Sequence, residues 1–421
     1  MSYALLTDRY ELTMVQAALQ SGKARRECVF EVFTRALPAG RRYGVLAGTG
    51  RLLEAIRDFR FSGEDIAYLQ RNSIVDVETL NYLIDYKFTG RIEGYQEGEL
   101  FFEGSPVLTV TAPFAEAVIL ETLILSILNH DSAIASAAAR MDSVAQGRSL
   151  IEMGSRRTQE QSAVAAARAA FIAGFDATSN LQAGKDWDIP TMGTSAHSFT
   201  LLHDSEEEAF KAQVAALGVE TTLLVDTYDI KKAVDLAVKI TKGKVAAVRI
   251  DSGDLAETAT EVRQQLDRLG ATSTKIVLTS DLDEYTIAAL ASAPVDSFGV
   301  GTSLVTGSGH PTAGFVYKLV AHRKGNKWVD VAKKSKGKTS RGGKKTAYRQ
   351  LEDGYATAEL IGKKSGRKLQ QTLFDKSPVD QYLGPTGVKL AKSHHQKVRA
   401  ELLPNALRLS KGEPAIPTIY G

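Results

Sequence analysis

A rhythm that begins after residue 148 constrains this chain more than any other feature. Short apolar runs end in small, polar or charged residues, and helical stretches separate most of them. The runs are LIEMG at 150–154, FDAT at 175–178, IPTMGT at 189–194, TLLVD at 222–226, VAAVRID at 245–251, KIVLTSD at 275–281 and SFGVGT at 297–302. Helical patterns fill 229–240, 255–269 and 283–292. Strands alternating with helices build parallel βαβ units. Seven repeats without a G-x-G-x-x-G turn favour barrel-like closure over a dinucleotide-binding sheet, with an open doubly wound sheet as the alternative.

The flanks read differently. Residues 1–20 suggest a loop and a helix, 28–34 a strand, 50–58 and 64–70 helices, and 88–96 and 100–111 strands. Two helices are expected at 115–128 and 131–146. From 314 the pattern returns to strands, and residues 333–349 hold eight Lys/Arg and no acid, a solvated loop or an anion-binding flap. The expected division is 1–148, an α/β barrel over 149–313, and 314–421 returning to the first domain.

Charge excludes some partners. The 52 Lys+Arg and 49 Asp+Glu leave +3, too little for a global field toward nucleic acid or a membrane. The single cysteine, Cys28, excludes a disulfide framework and a cysteine-built zinc site, and suits a reducing cytoplasm. MSYALLTDRYELTM lacks a signal-peptide pattern. The longest apolar run, AVILETLILSIL at 117–128, is interrupted by Glu121, Thr122 and Ser126 and reads as a buried helix.

In α/β barrels chemistry sits where strands end. The run ends carry Arg156, Arg157 and Arg249, and three arginines on one rim suit phosphate or carboxylate ligands. Gly299-Val300-Gly301-Thr302 offers backbone N–H groups and a hydroxyl to a phosphate. Asp251, Asp254 and Asp281 suit Mg²⁺ shared with substrate phosphates, or sugar hydroxyls; Asp254 and Asp283 equally suit helix N-caps. His197, flanked by the hydroxyls of Thr194 and Ser198, is a structural histidine, a general base or a phosphate acceptor. His394 and His395 are expected to be exposed.

Five segments together resemble the nicotinate phosphoribosyltransferase family: LLTDRYELTM (5–14), EMGSRRT (152–158), GTSAHSF (193–199), RIDSGDL (249–255) and GVGTSLVT (299–306). The resemblance implies a seven-stranded irregular, open α/β barrel plus an open-faced α/β sandwich built from both chain ends. It implies synthesis of nicotinate mononucleotide and pyrophosphate from nicotinate and phosphoribosyl pyrophosphate, the first step of NAD synthesis from nicotinate. ATP would serve as co-substrate through a phosphohistidine at His197, with Mg²⁺ as the cofactor for which the residues alone offer Asp251 and Asp254. Tyr10 would stack on the pyridine ring from the neighbouring subunit of a homodimer. Thr194, Ser198, Arg249, Gly301 and Thr302 match substrate contacts, Asp251 and Asp281 ribose or metal contacts, and Arg156 the phosphoribosyl moiety or ring. Met153 stands where amide-using relatives place a second stacking phenylalanine, and Ser195 where they place an amide-recognising aspartate. The competing readings are the nicotinamide enzyme, the decarboxylating quinolinate enzyme and a catalytically silent phosphate-binding barrel.

Overall fold

The structure is a computed structural model that describes residues 3–334 and 340–421. The chain divides into two compact units, one of Met1–Ser136 with His310–Gly421 and one of Ala137–Gly309.

The second unit is built on six short parallel strands, Ser149–Glu152, Ala177–Thr178, Thr222–Leu224, Ala247–Ile250, Lys275–Leu278 and Ser297–Val300. Their order across the sheet is the second, first, sixth, fifth, fourth and third of these. The run at 189–194 adds only one parallel bridge, Thr178 to Thr191, beyond the Ala177–Thr178 edge. The runs therefore follow one another cyclically, as in a barrel, with a seam between the third and fourth. No hydrogen-bonded ladder closes that seam among the described residues. Of the seven runs expected in an open barrel, six form hydrogen-bonded strands of a parallel half-barrel sheet and the remaining one, the third, joins through that single bridge. The third run cannot extend its ladder because Pro190 has no N–H to donate. The strands are apolar without alternation because both faces are covered, and Leu150, Leu223, Val248, Ile276 and Phe298 are fully buried. Following helices start on side-chain caps: Asn180, Asp229, Asp254 and Asp283 each accept an N–H three residues on.

In the first unit, Glu27–Thr34 pairs antiparallel with both Leu108–Pro113 and Phe315–Lys324 inside a seven-stranded sheet. The helices expected at 115–128 and 131–146 are instead Phe114–Val118 and Glu121–Ala145. Asn129-His130-Asp131 does not break the long helix, because its polar groups find partners outside it. The Asn129 amide bonds the backbone of Phe315, and Asp131 takes Arg51 at 2.8 Å. The stretch Phe114–Ala145 is long and apolar enough to cross a membrane by length and composition, but 67% of its most apolar 18-residue window is buried inside the protein.

His395 is buried and His394 half-buried, rather than both exposed. His394 Nε2 meets Glu99 at 3.0 Å, and His395, 1% exposed, places Nδ1 3.0 Å from the Gly98 carbonyl. They lie on Gly384–Ala400, whose apolar stripe carries them inward. Burial pushes the His395 ring down to about 4, so it stays neutral.

Candidate active site

A cavity of about 560 Å³ opens where the strands of the second unit end. It is lined by Met153, Arg156, Arg157, Thr194, Ser195, Arg249, Asp251, Asp281, Gly301 and Thr302, among others. His197 and Ser198 stand just outside that lining, Asp254 caps its own helix, and Tyr10 belongs to the first unit.

Arg249 ties three of the strand ends together. Its Nε donates to Thr279 Oγ1 at 2.9 Å, Nη1 to Thr194 Oγ1 at 3.0 Å and Nη2 to Asp251 Oδ1 at 3.0 Å. The guanidinium has five N–H donors, so two remain for an anion in the cavity. Thr279 also donates to Asp251. Its neighbour Ser280, which lines the cavity, has φ 127°, a strained conformation of the kind concentrated at functional sites.

The loop carrying the arginine pair rests on a buried acid. Glu152, unexposed, accepts the Gly154 N–H and the Thr178 hydroxyl, and burial pushes its carboxyl up. Asn180 Nδ2 donates to Ser155 Oγ at 3.0 Å, holding the same loop from the next strand. Met153 packs beneath it: a Cβ added at Gly299 would sit 2.6 Å from both Met153 Sδ and Thr279 Cγ2.

His197 opens the helix His197–Leu202. Its Nδ1 lies 3.1 Å from Thr227 Oγ1, so Thr227 is its hydroxyl partner, while Thr194 is taken by Arg249. Its Nε2 is 3.8 Å from Asp226 Oδ1, on a side chain 1% exposed. Asp226 Oδ2 accepts the Asp251 N–H at 3.0 Å and the Ser252 hydroxyl at 2.6 Å. The geometry suits a proton on Nε2 and a lone pair on Nδ1.

Among the described residues no three His, Cys, Asp or Glu converge to hold a metal. Asp251 and Asp281 do line the cavity, and Mg²⁺ commonly takes one or two carboxylates plus substrate phosphates. The donor set fits such a shared cation, whereas Asp254 spends its carboxylate on the Glu257 N–H.

Tyr10 is 45% exposed on the helix Arg9–Gln20, and burial together with Glu121 pushes its phenol up to about 12. Within the basic segment, residues 335–339 lie outside the described residues. Further along the segment, Lys345 pairs with Glu31 at 2.6 Å, Lys344 pairs with Glu93, and Arg341 stacks 3.7 Å from the Tyr420 ring centroid, while Lys333 and Lys334 are exposed.

Sequence reading assigned no task to Asp226, Thr227, Thr279 or Glu152. The signal for two of them was present: Asp226 and Glu152 are acids set at the ends of buried apolar runs, where an unpaired charge is costly.

The sequence matches known proteins over most of its length. Residues 5–129 match the nicotinate phosphoribosyltransferase N-terminal domain, and residues 148–377 match the nicotinate phosphoribosyltransferase family. Nicotinate phosphoribosyltransferase pncB1 of Mycobacterium tuberculosis is 53% identical over 98% of this chain and 94% of its own length. The Bacillus subtilis nicotinate phosphoribosyltransferase is 38% identical over 83% of this chain and 73% of its own length. The crystal structure of human nicotinic acid phosphoribosyltransferase has the same fold, with TM-score 0.83 and 23% identity over 99% of this chain and 97% of that one.

Proposed function

The chain belongs to the nicotinate phosphoribosyltransferase family, and from that premise we propose that it transfers the phosphoribosyl group of phosphoribosyl pyrophosphate to nicotinate. The products are nicotinate mononucleotide and pyrophosphate, with ATP and water converted to ADP and phosphate through a phosphohistidine at His197. The observation that carries the reading is one cavity that gathers Arg156, Arg157 and Arg249 with Asp251, Asp281 and the Gly301-Thr302 turn.

Departure of pyrophosphate leaves an oxocarbenium-like ribose, so positioning and charge stabilisation dominate catalysis. The arginines hold phosphate and carboxylate oxygens, and the ring nitrogen of nicotinate attacks the anomeric carbon as the bond to pyrophosphate breaks. Asp251 and Asp281 would hold Mg²⁺, which offsets charge on the leaving group. Ser195, which lines the cavity, is a neutral hydroxyl at the place where amide-using relatives put an aspartate, and that suits an acid substrate better than an amide.

ATP coupling rests on His197. Asp226 would keep its proton on Nε2, leaving Nδ1 to attack the γ-phosphorus with release of ADP. Phosphorylation places about −1.5 to −2 charge beside Asp226 and Asp251, and that charge drives synthesis by changing affinity for the anionic substrates. Tyr10 completes the ring subsite of a partner copy in a cytoplasmic homodimer.

Product analysis with phosphoribosyl pyrophosphate and either nicotinate or nicotinamide, with and without ATP, tests the reaction. Nicotinate mononucleotide formed faster with ATP is expected; preference for nicotinamide rejects the substrate. Label from γ-labelled ATP should be acid-labile, base-stable and confined to the peptide containing His197.

A further inference from the structure

The helix Arg9–Gln20 buries Glu11, Val15 and Ala18 at helical spacing, so an acid occupies the first place on an otherwise apolar stripe. Glu11 is unexposed. A buried carboxyl is tolerated when hydrogen bonds replace water, and three donors do so here. Thr122 gives its N–H at 2.9 Å and its hydroxyl at 2.5 Å to one carboxyl oxygen, and Thr7 gives its hydroxyl to the other.

The donors come from two separate segments. Thr7 precedes the N-cap Asp8, and Thr122 lies in the first turn of Glu121–Ala145. An acid in the third helical position usually bonds back to the N-cap N–H. Glu11 instead joins the preceding loop to the long helix, and Asp8 forms no side-chain cap of its own. The first turn therefore depends on this tether. Tyr10 is adjacent in the chain and 45% exposed, so whatever fixes Glu11 fixes the backbone that aims its ring.

We propose that Glu11 is a positioning residue that presents Tyr10 to nicotinate by tethering residues 7–11 to the long helix. The proposal rests on the ring-subsite reading of Tyr10 given above. Burial pushes the Glu11 carboxyl up to about 7 against the Thr122 and Thr7 hydrogen bonds, so a neutral group is already close to tolerated at this place. The ionisable groups around it are Tyr10, Glu121, Tyr86 and Tyr317, and the nearby cation Lys318 sits on Glu121 at 3.7 Å.

The test compares Glu11→Ala, Glu11→Gln, Thr122→Val and Tyr10→Ala in the full-length enzyme. Steady-state kinetics is read beside hydrogen exchange of the peptide spanning residues 3–13. Glu11→Ala should speed exchange of that peptide at least about tenfold and raise KM for nicotinate about tenfold, with KM for phosphoribosyl pyrophosphate within about twofold. Glu11→Gln should stay near wild type in both readouts, since its amide accepts from Thr122 and donates to Thr7. Thr122→Val, which keeps the backbone donor, should fall between. Unchanged exchange in Glu11→Ala overturns the tether, whatever Tyr10→Ala does. Faster exchange with an unchanged nicotinate KM overturns the positioning role. If Tyr10→Ala leaves nicotinate KM unchanged, the reading of Tyr10 fails, and the positioning role falls with it. If Glu11→Ala does not fold, Thr122→Val decides by the same two readouts.

Discussion

Asp226 points Oδ1 at the Nε2 of His197 across 3.8 Å, while its other oxygen is held by the Asp251 N–H and the Ser252 hydroxyl. Oδ1 is buried and has no hydrogen-bond partner. A buried acceptor left unpaired costs about 1–3 kcal/mol, so closing the gap to His197 is favourable. The histidine is 41% exposed and has room to approach. The carboxylate is thus fixed by the neighbouring strand end, and the imidazole is the part free to move.

Replacing Asp226 by Asn tests that relation. The remaining oxygen keeps the bonds from Asp251 and Ser252, and an NH₂ now faces His197 where an acceptor stood. Nicotinate-stimulated ATP hydrolysis should fall about ten- to a hundredfold, the worth of one charge-assisted hydrogen bond at ~1.5–3 kcal/mol. Nucleotide formation without ATP should change far less. ADP release and nicotinate mononucleotide formation measured in parallel would show it. Equal losses in both would place Asp226 in the shared machinery instead of behind His197.

Arg249→Ala removes the cross-link among Thr194, Thr279 and Asp251 and leaves Asp251 without its cation. We expect kcat/KM for both substrates to drop at least about ten- to a hundredfold, from ~1.5–3 kcal/mol for the lost charged contacts. Arg249→Lys should not restore activity, because one ammonium cannot reach three partners arranged for a planar fork. Wild-type kcat/KM in either variant would remove Arg249 from catalysis.

What could be read from the sequence follows the physics of each signal. Buried parallel strands betray themselves by unbroken apolar runs, so the six strands are legible; Pro190, which denies the third run a ladder, is not told apart from the other run residues by counting repeats. Arg249, Asp251 and Thr302 were found because a strand end is a fixed address. Asp226 is legible as a strand-end acid, but its task and that of Thr227 depend on the distance to His197, about thirty residues earlier in the chain, and spacing along the chain does not encode it. His394 and His395 looked exposed among lysines and glutamine, yet the turn of their helix faces Glu99. Local pattern divides the long helix at Asn129-His130-Asp131 because the partners of Asn129 and Asp131, Phe315 and Arg51, are distant in sequence.

Glu99 anchors a buried ionic cluster in the first unit, with Arg367 at 2.7 Å, His394 at 3.0 Å and Arg349 at 3.7 Å. Burial alone would raise its carboxyl, but His394, Arg349 and Arg367 outweigh burial and hold it well below the usual range. A folded-state value below the unfolded one contributes stability that is complete above about 4.5 and lost as pH falls toward the depressed value. Glu99→Gln should therefore cost about 3 kcal/mol at pH 7, since it leaves the buried Arg349 and the half-buried Arg367 with one carboxylate partner each, Glu359 and Glu401. The Tm difference from wild type should narrow between pH 4.5 and pH 3. A difference that is flat or widens toward acid would contradict this account of the cluster.

Gly299 supplies a test of the proposed ring subsite beside Met153. A methyl at this position would lie 2.6 Å from Met153 Sδ and 2.6 Å from Thr279 Cγ2. The two obstacles differ in how they yield. Met153 is a flexible thioether that can swing into the cavity, at the expense of space for the pyridine ring. Thr279 is held by Arg249 and Asp251, so its methyl cannot retreat without disturbing the clamp. Overpacking of this kind costs about 1–3 kcal/mol. Gly299→Ala should therefore fold, lower Tm and raise KM for nicotinate more than KM for phosphoribosyl pyrophosphate. Adding Met153→Ala removes the movable obstacle and leaves the fixed one. The double variant should recover part of the nicotinate KM but little of kcat, because the Arg249 clamp remains displaced through Thr279. Full recovery of both would mean that Met153 alone governs the subsite, and no recovery of KM would place the pyridine ring away from Met153.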